Sequence, residues 1–375
     1  MPIGMGSTAN VLIHPSWDGA ELTRLTLRDG TTFERVIGDI NAALTLVNSE
    51  LQSGYLAGAM SLTTEPGVEY PDGTTNGTSD ETEYAQPDAQ RADITGHMLP
   101  LRGVDRKLQW TQRFFEEARQ THIDADIASM VRDFRQTWDQ RRLARHFNSS
   151  EETGRSVGLG ASGVSVPLVN GSVKAIGGAA SDVPYIPMPM PDRGGTFASS
   201  HSHFLRLNGI TQANVETAVK TLWEHGHDAP FELVVSLTDV GDWTNTTNVT
   251  GYKERADPII QYGSATNLAA VTDLYLGAIT TKYGACRLVA SGRIPTKYWT
   301  LFKTYGPLDR RNPLRVRYDD FFGFGVRLVT TTVALYPLAG AVGRMRFGVG
   351  IGEDRTNGVC VYNHASGDYV NPTIS

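Results

Sequence analysis

The chain has 375 residues, a formal net charge of -6, 40% hydrophobic side chains and 20% charged ones. This is the make-up of a folded protein with the length of two or three domains. The acidic balance excludes bulk, non-specific nucleic-acid binding as its main behaviour. Only seven of the 34 basic residues are lysine. Such an arginine bias suits protein interfaces, where the planar fork makes bidentate pairs and stacks on aromatics, or it reflects the composition of the host. Cys286 and Cys360 sit in apolar, strand-like surroundings and are expected to be small core residues, not a disulfide framework. The N-terminus lacks the basic, apolar, small-residue layout of a signal peptide. No apolar run approaches the roughly 20 residues of a membrane span, so no membrane partner is expected and synthesis in a cytoplasm is.

In chain order, residues 1–32 are weakly patterned and extended. Residues 33–52 carry Phe33, Val36, Ile37, Ile40, Leu44 and Val47 at helical spacing. Residues 61–93 then turn acidic, with Glu65, Glu69, Asp72, Asp80, Glu81, Glu83, Asp88 and Asp93 against one base, Arg91. Their centre, PDGTTNGTSDETEYAQPD, is a polar loop flanked by strand-like pieces. Loops of this length in compact domains are functional or disordered. Residues 123–146 place Ile123, Ile127, Met130 or Val131, Phe134 and Trp138 in one apolar stripe. The reverse face carries Arg132, Asp133, Arg135, Asp139, Arg141 and Arg142. A helix of this length spans roughly 36 Å, long for a globular protein, and is expected to lie along a sheet.

Residues 149–200 are rich in Gly, Ser and Pro. A helix is expected over 211–226, with Thr211 as N-cap and Gly226 as its stop. FELVVSLTD (231–239) reads as a strand, 264–281 as a further helix, and CRLVASGRIP as a strand. PTKYWTLFKTYG (295–306) reads as a short helix or turn, and 324–335 and 344–351 as strands. Helices and antiparallel-looking strands alternate without a βαβ repeat, so the class is α+β.

Few motifs carry catalytic chemistry. Gly158, Gly160 and Gly163 match G-x-G-x-x-G, but no strand precedes them and no helix follows, so a turn is the better reading. His201 with His203, and His225 with His227, are H-x-H pairs that could face a metal from one side of a strand. Each pair needs a third ligand, and none sits at a recognised spacing. His225 and His227 fall at a helix end, where histidine can cap carbonyls. Ser200, His201 and Asp192 contain the atoms of a triad without a nucleophile elbow. No catalytic, metal or cofactor site is therefore expected, and the chain reads as a non-enzyme.

Residues 282–320 are instead dense in arginine and aromatics, with contact chemistry and no catalytic set. In LRVRY, Arg315 and Arg317 fall on one strand face, with Leu314 and Val316 on the other. With Arg310 and Arg311 they could hold a phosphate or form an intersubunit salt-bridge row. Asp309, Asp319 and Asp320 favour the second, since they would weaken a phosphate site.

This order of parts resembles the major capsid proteins of tailed phages, with the Hong Kong 97-type shell fold also used by encapsulin compartments. The segment RIPTKYWTLFKTYGPLDRRNPLRVR, after an apolar strand, is similar to the region that ends the domain around the capsomer axis. The resemblance implies an N-terminal arm over 1–60 and an extended loop over 61–105. It implies a peripheral domain with a spine helix over 106–208, an axial domain over 209–320, and a return to the peripheral domain with a tail over 321–375. It implies a subunit of hexamers and pentamers in an icosahedral shell around double-stranded DNA, part of a virion assembled in the host cytoplasm. A portal protein and a separate scaffolding or decoration protein are the implied partners. Two departures stand out. The loop has no lysine between Met60 and Arg106 for a covalent cross-link, and about 60 residues before it are too few for a large cleaved scaffold. Glu65, Glu69, Asp72, Glu81 and Glu83 of the loop are expected to meet Arg132, Arg135, Arg141 and Arg142 of a neighbour. Arg310, Arg311, Arg315 and Arg317 are expected to lie beside the capsomer axis. An encapsulin-like compartment and a metal-dependent hydrolase using His201 and His203 are the alternatives.

Overall fold

The computed structural model describes residues 26–52, 58–71, 94–99, 101–150, 152–153, 172–173, 201–254, 273–330 and 338–374. Five helices are named here: α1 (Phe33–Glu50), α2 (Gln112–Glu117), α3 (Gln120–Phe147), α4 (Gln212–Glu224) and α5 (Val240–Trp243). The first strands are β1 (Met60–Thr63), β2 (Gly67–Pro71), β3 (Ile94–Met98), β4 (Arg102–Thr111), β5 (Glu152–Thr153), β6 (Ser172–Val173), β7 (Phe204–Leu207) and β8 (Phe231–Ser236). There follow β9 (Tyr252–Glu254), β10 (Asp273–Thr281), β11 (Gly284–Ser291), β12 (Tyr298–Phe302), β13 (Leu314–Tyr318), β14 (Val326–Thr330), β15 (Leu338–Ile351) and β16 (Val359–Asn363).

The first sheet is organised on β15. The whole of β4 pairs antiparallel with one edge, Leu338↔Thr111 through Phe347↔Arg102. The other edge takes β14 along its first half and β13 along its second. β1 then adds parallel to β13, Met60↔Leu314. Helices α1 and α3 cover this sheet. In α1, Thr32 caps the N-terminus by accepting from the Arg35 amide, and Val36, Ile40, Leu44 and Val47 are buried. Asn48 braces α1 to the sheet: its Nδ2 donates to the Val326 carbonyl (2.9 Å) and its Oδ1 accepts from the Val326 amide (2.7 Å). In α3 the expected stripe of Ile123, Ile127, Met130, Phe134 and Trp138 is buried, with Met130 inward and Val131 half-buried. The helix crosses β15 at Gly343, where a Cβ would stand 2.8 Å from Phe134 Cε2 and 3.1 Å from Met130 Sδ. Close approach of the two backbones depends on that missing atom.

The second sheet has the order β7-β16-β12-β8-β11-β10-β9, mixing parallel and antiparallel pairs. α4, capped by Thr211 accepting from Asn214 N, presses Val215, Ala218, Val219 and Leu222 into a core shared with these strands. Two expectations fail here. Residues 273–281, expected to close a helix, form β10, paired along its length with β11; residues 255–272 lie outside the described residues. Residues 298–302, expected as a helix or turn, form the fully buried strand β12 between β8 and β16. Its five consecutive buried residues give no alternation to read, because a strand covered on both faces loses the period-2 signal.

The two layers join where α3 ends. His146 meets Thr300 Oγ1 of β12 at 2.6 Å, and Thr300 donates to the Val359 carbonyl at 2.9 Å. His146 Nε2 is therefore the donor in that pair. Tyr369 OH donates to the Phe147 carbonyl (2.8 Å), and Phe147 stacks edge-on against Tyr298. β1 and β13 belong to the sheet under α3, and β16 to the other. Between β1 and β4, β2 and β3 form a separate antiparallel ribbon, Gly67↔Met98 to Pro71↔Ile94. Asp72, Glu81 and Glu83, between these strands in sequence, lie outside the described residues, as do Ser200, Asp192 and the glycines at 158, 160 and 163.

Candidate assembly surface and histidine cluster

The helix arginines divide by period. Arg142 falls four residues after Trp138 and so continues the buried stripe. It is 2% exposed, its guanidinium lies 5.0 Å from the Trp138 ring centroid, and it pairs with Asp139 at 2.5 Å. Asp139 also receives Arg293 from the β11–β12 turn at 3.0 Å. Arg141 lies over the Phe347 ring at 4.8 Å and donates to the Arg102 carbonyl at 3.2 Å; burial lowers its pKa. Arg135 pairs with Glu50 at the end of α1. Arg132 is exposed and contacts Ser129 at 3.5 Å. The expectation of four outward arginines is thus corrected. Arg142 belongs to the core, and Arg135 and Arg141 are engaged within the chain.

The β13 arginines are similarly engaged. β13 is covered on both faces, so Arg315 is buried along with Leu314 and Val316. Arg315 donates to Glu65 Oε2 (3.0 Å) and Glu353 Oε1 (2.8 Å). Arg310 also pairs with Glu353. Burial pulls the Glu353 carboxyl upward, but hydrogen bonds from Arg310 and Arg315 outweigh it and hold the pKa low. Glu65, expected to reach a neighbour, is joined to Arg315 of its own chain. Arg317 donates to the Leu99 carbonyl at 3.0 Å, which ties β13 to the base of the β2–β3 ribbon. Arg311 makes a two-point pair with Asp309 and lies 4.2 Å over Tyr305. Glu69 lies on β2.

Two buried asparagines hold the turn between β12 and β13. Asn312 Nδ2 donates to the Met60 and Gly306 carbonyls, and Asn357 Nδ2 to those of Lys303 and Arg311. On the outer surface Phe321 is 82% exposed, beside Phe322, whose ring lies 4.0 Å from the Arg346 guanidinium carbon. A protruding aromatic of this kind is the chemistry of an interface anchor. Sequence reasoning missed Phe321, Asp139, Asn312, Glu353 and Asn357. The position of Arg142, at i+4 from Trp138, was a signal available in the sequence.

The first H-x-H pair stays together, whereas the second divides between two sites. His225, the C-cap residue of α4, comes beside His201 and His203, just before β7. The three Nε2 atoms stand 3.3 Å (201–203), 3.1 Å (201–225) and 3.0 Å (203–225) apart. His203 and His225 are buried and His201 half-buried. His203 Nδ1 meets the Gly358 carbonyl at 2.6 Å, and its backbone carbonyl accepts from Cys360 N. Desolvation, then the nearby His225, lowers the His203 pKa well below the usual histidine value. His227 turns away, to Thr356 Oγ1 at 2.9 Å and Tyr305 OH at 3.2 Å. The third ligand that spacing did not reveal is thus supplied from 22 residues on, across the fold.

No family model matches the chain, and no curated protein matches it. A solved chain of Mycobacterium phage Patience superposes with a TM-score of 0.61 over 97% of both chains, at 18% identity. The chain has the Hong Kong 97-type fold. Two further solved structures superpose less closely. The mature capsid of bacteriophage PhiM1 gives 0.47 at 11% identity, over 84% of this chain and 88% of that one. The holo-SrpI encapsulin complex of Synechococcus elongatus gives 0.40 at 11% identity, over 83% and 90%. No helix among the described residues is long and apolar enough to cross a membrane.

Proposed function

We propose that this chain is a tailed-phage major capsid protein, which self-assembles into hexamers and pentamers of an icosahedral shell around double-stranded DNA. The observation that carries the reading is the end-to-end fold agreement with the phage Patience chain, 97% of each. Agreement along the whole length favours a role for the entire chain in one assembly over a fold shared by one module. The chemistry of the surface agrees with it. β2 and β3 pair as a separate ribbon between β1 and β4, the acidic stretch joins them in sequence, and extended loops of this kind gain their binding energy in multivalent assemblies. On this reading 1–60 is an arm, 61–105 an extended loop, 106–208 and 321–375 the peripheral part, and 209–320 the axial part. Glu69, Asp72, Glu81 and Glu83 remain the proposed loop contacts, and the exposure of Arg132 supports it as their proposed acceptor on the helix. The role is structural, in the virion, after assembly in the host cytoplasm. The portal protein, a scaffolding or decoration protein and the packaged genome are the partners.

Electron microscopy of the purified full chain tests this. Closed hollow particles are expected, and particles from infected cells are expected to contain nuclease-protected DNA. Particles that enclose a protein cargo and no DNA would move the reading to an encapsulin-like compartment. A chain that stays monomeric at high concentration, with or without its scaffolding partner, would overturn it.

A further inference from the structure

We propose that His201, His203 and His225 bind one divalent transition-metal ion of the zinc class through their Nε2 atoms. The first argument is tautomeric. Each neutral Nε2 is either an N–H donor or a lone-pair acceptor. Three such atoms, all 3.0–3.3 Å from one another, must include at least one like pair, two lone pairs or two hydrogens face to face. Such a pair sets like charge against like at hydrogen-bond distance, whereas a cation shared by three lone pairs meets every member with opposite charge.

Geometry is the second argument. Nitrogens on a triangle with these sides lie about 1.8 Å from its centre. An ion at the usual zinc–nitrogen distance of about 2.0–2.1 Å then sits roughly 1 Å above their plane, which is the tetrahedral position with a fourth site open. The third argument is the outer contact. The Gly358 carbonyl can only accept, so His203 Nδ1 at 2.6 Å carries the proton and Nε2 is left as a lone pair aimed into the cluster. A histidine ligand oriented by a backbone carbonyl through its other nitrogen is how proteins prepare metal sites. His203 is fully buried, so the arrangement is held by packing.

The ion would join three separate parts of the second layer. These are the chain as it reaches edge strand β7, the end of α4, and the Gly358 turn that leads into β16. A metal there would staple the edge of the sheet at the start of β7. The inference does not depend on the capsid reading.

The experiment uses tag-free full chain, analysed for metal, stripped with a chelator, and titrated with zinc or cobalt(II). One equivalent per chain, a visible tetrahedral cobalt spectrum and a raised thermal midpoint on zinc addition are expected. His201→Gln, at the half-buried corner, is expected to weaken cobalt binding beyond the roughly 10–100-fold cost of an outer-contact change. His122→Gln on the exposed start of α3 is expected to leave it unchanged. Absence of bound metal together with no saturable cobalt spectrum would overturn the proposal, as would a folded His201→Gln chain that binds like the parent. If His201→Gln does not fold, the parent titration alone decides. Particles without metal would refute the site and spare the capsid reading; metal without particles would do the reverse.

Discussion

His146 makes the folded state sensitive to acid in a way that can be worked out. It is fully buried at the joint between α3 and β12, and desolvation, with Arg145 adding to it, lowers its pKa from 6.5 to about 4. The native ring is thus neutral, and an unfolded chain takes up the proton first as pH falls. The unfolded state binds more protons between about pH 6.5 and 4, so stability is full above that window and declines through it. The loss is about 1 kcal/mol at pH ~5.5 and roughly 3 kcal/mol in full. His146→Gln keeps a donor for Thr300 and does not titrate. Urea unfolding of dissociated subunits, followed by tryptophan fluorescence across this range, reads the effect as the difference between the two chains. His201 and His203 are also depressed by burial, but they contribute to both curves and cancel. Parallel stability curves for parent and variant from pH 7 to 4.5 would refute the reasoning.

Four further outcomes are expected. Gly343→Ala puts a Cβ within 2.8 Å of Phe134 and should cost about 1–3 kcal/mol in urea unfolding by lifting α3 from β15. Arg315→Glu buries a carboxylate between Glu65 and Glu353 and should cost about 3–5 kcal/mol. Glu65→Gln, at a side chain 62% exposed, should cost less than about 1 kcal/mol; equal losses would contradict the assigned burial. Phe321→Asp should leave subunit stability within about 0.5 kcal/mol and abolish closed particles by electron microscopy; normal particles would remove Phe321 from the interface.

The features legible in the sequence were those set by local periodicity. The stripe from Ile123 to Trp138 specifies a helix with one buried face, because apolar residues three and four apart can share a surface only on a helix. Thr32 and Thr211 mark helix starts for the same local reason, a hydroxyl satisfying an otherwise unpaired amide. β12 was not legible, since YWTLF is covered on both sides and shows no alternation. Nor was β10, where tertiary pairing with β9 and β11 decides the conformation of a stretch that also reads as helical.

Charge was the least legible property. The arginines of α3 and β13 were visible as residues, but their partners were not. Arg315 finds Glu65 and Glu353, 250 and 38 residues away, and Arg142 is core because the helix turns it inward beside Trp138. Likewise the H-x-H spacing showed two separate pairs, and only the packing of α4 against β16 brings His225 to His203. The sequence by itself determined the α+β class, the long helix, the acidic stretch and the order of parts, because these rest on neighbours along the chain. The tertiary structure alone decided which charges are spent inside the subunit and which histidines meet, because both depend on contacts between residues far apart in sequence.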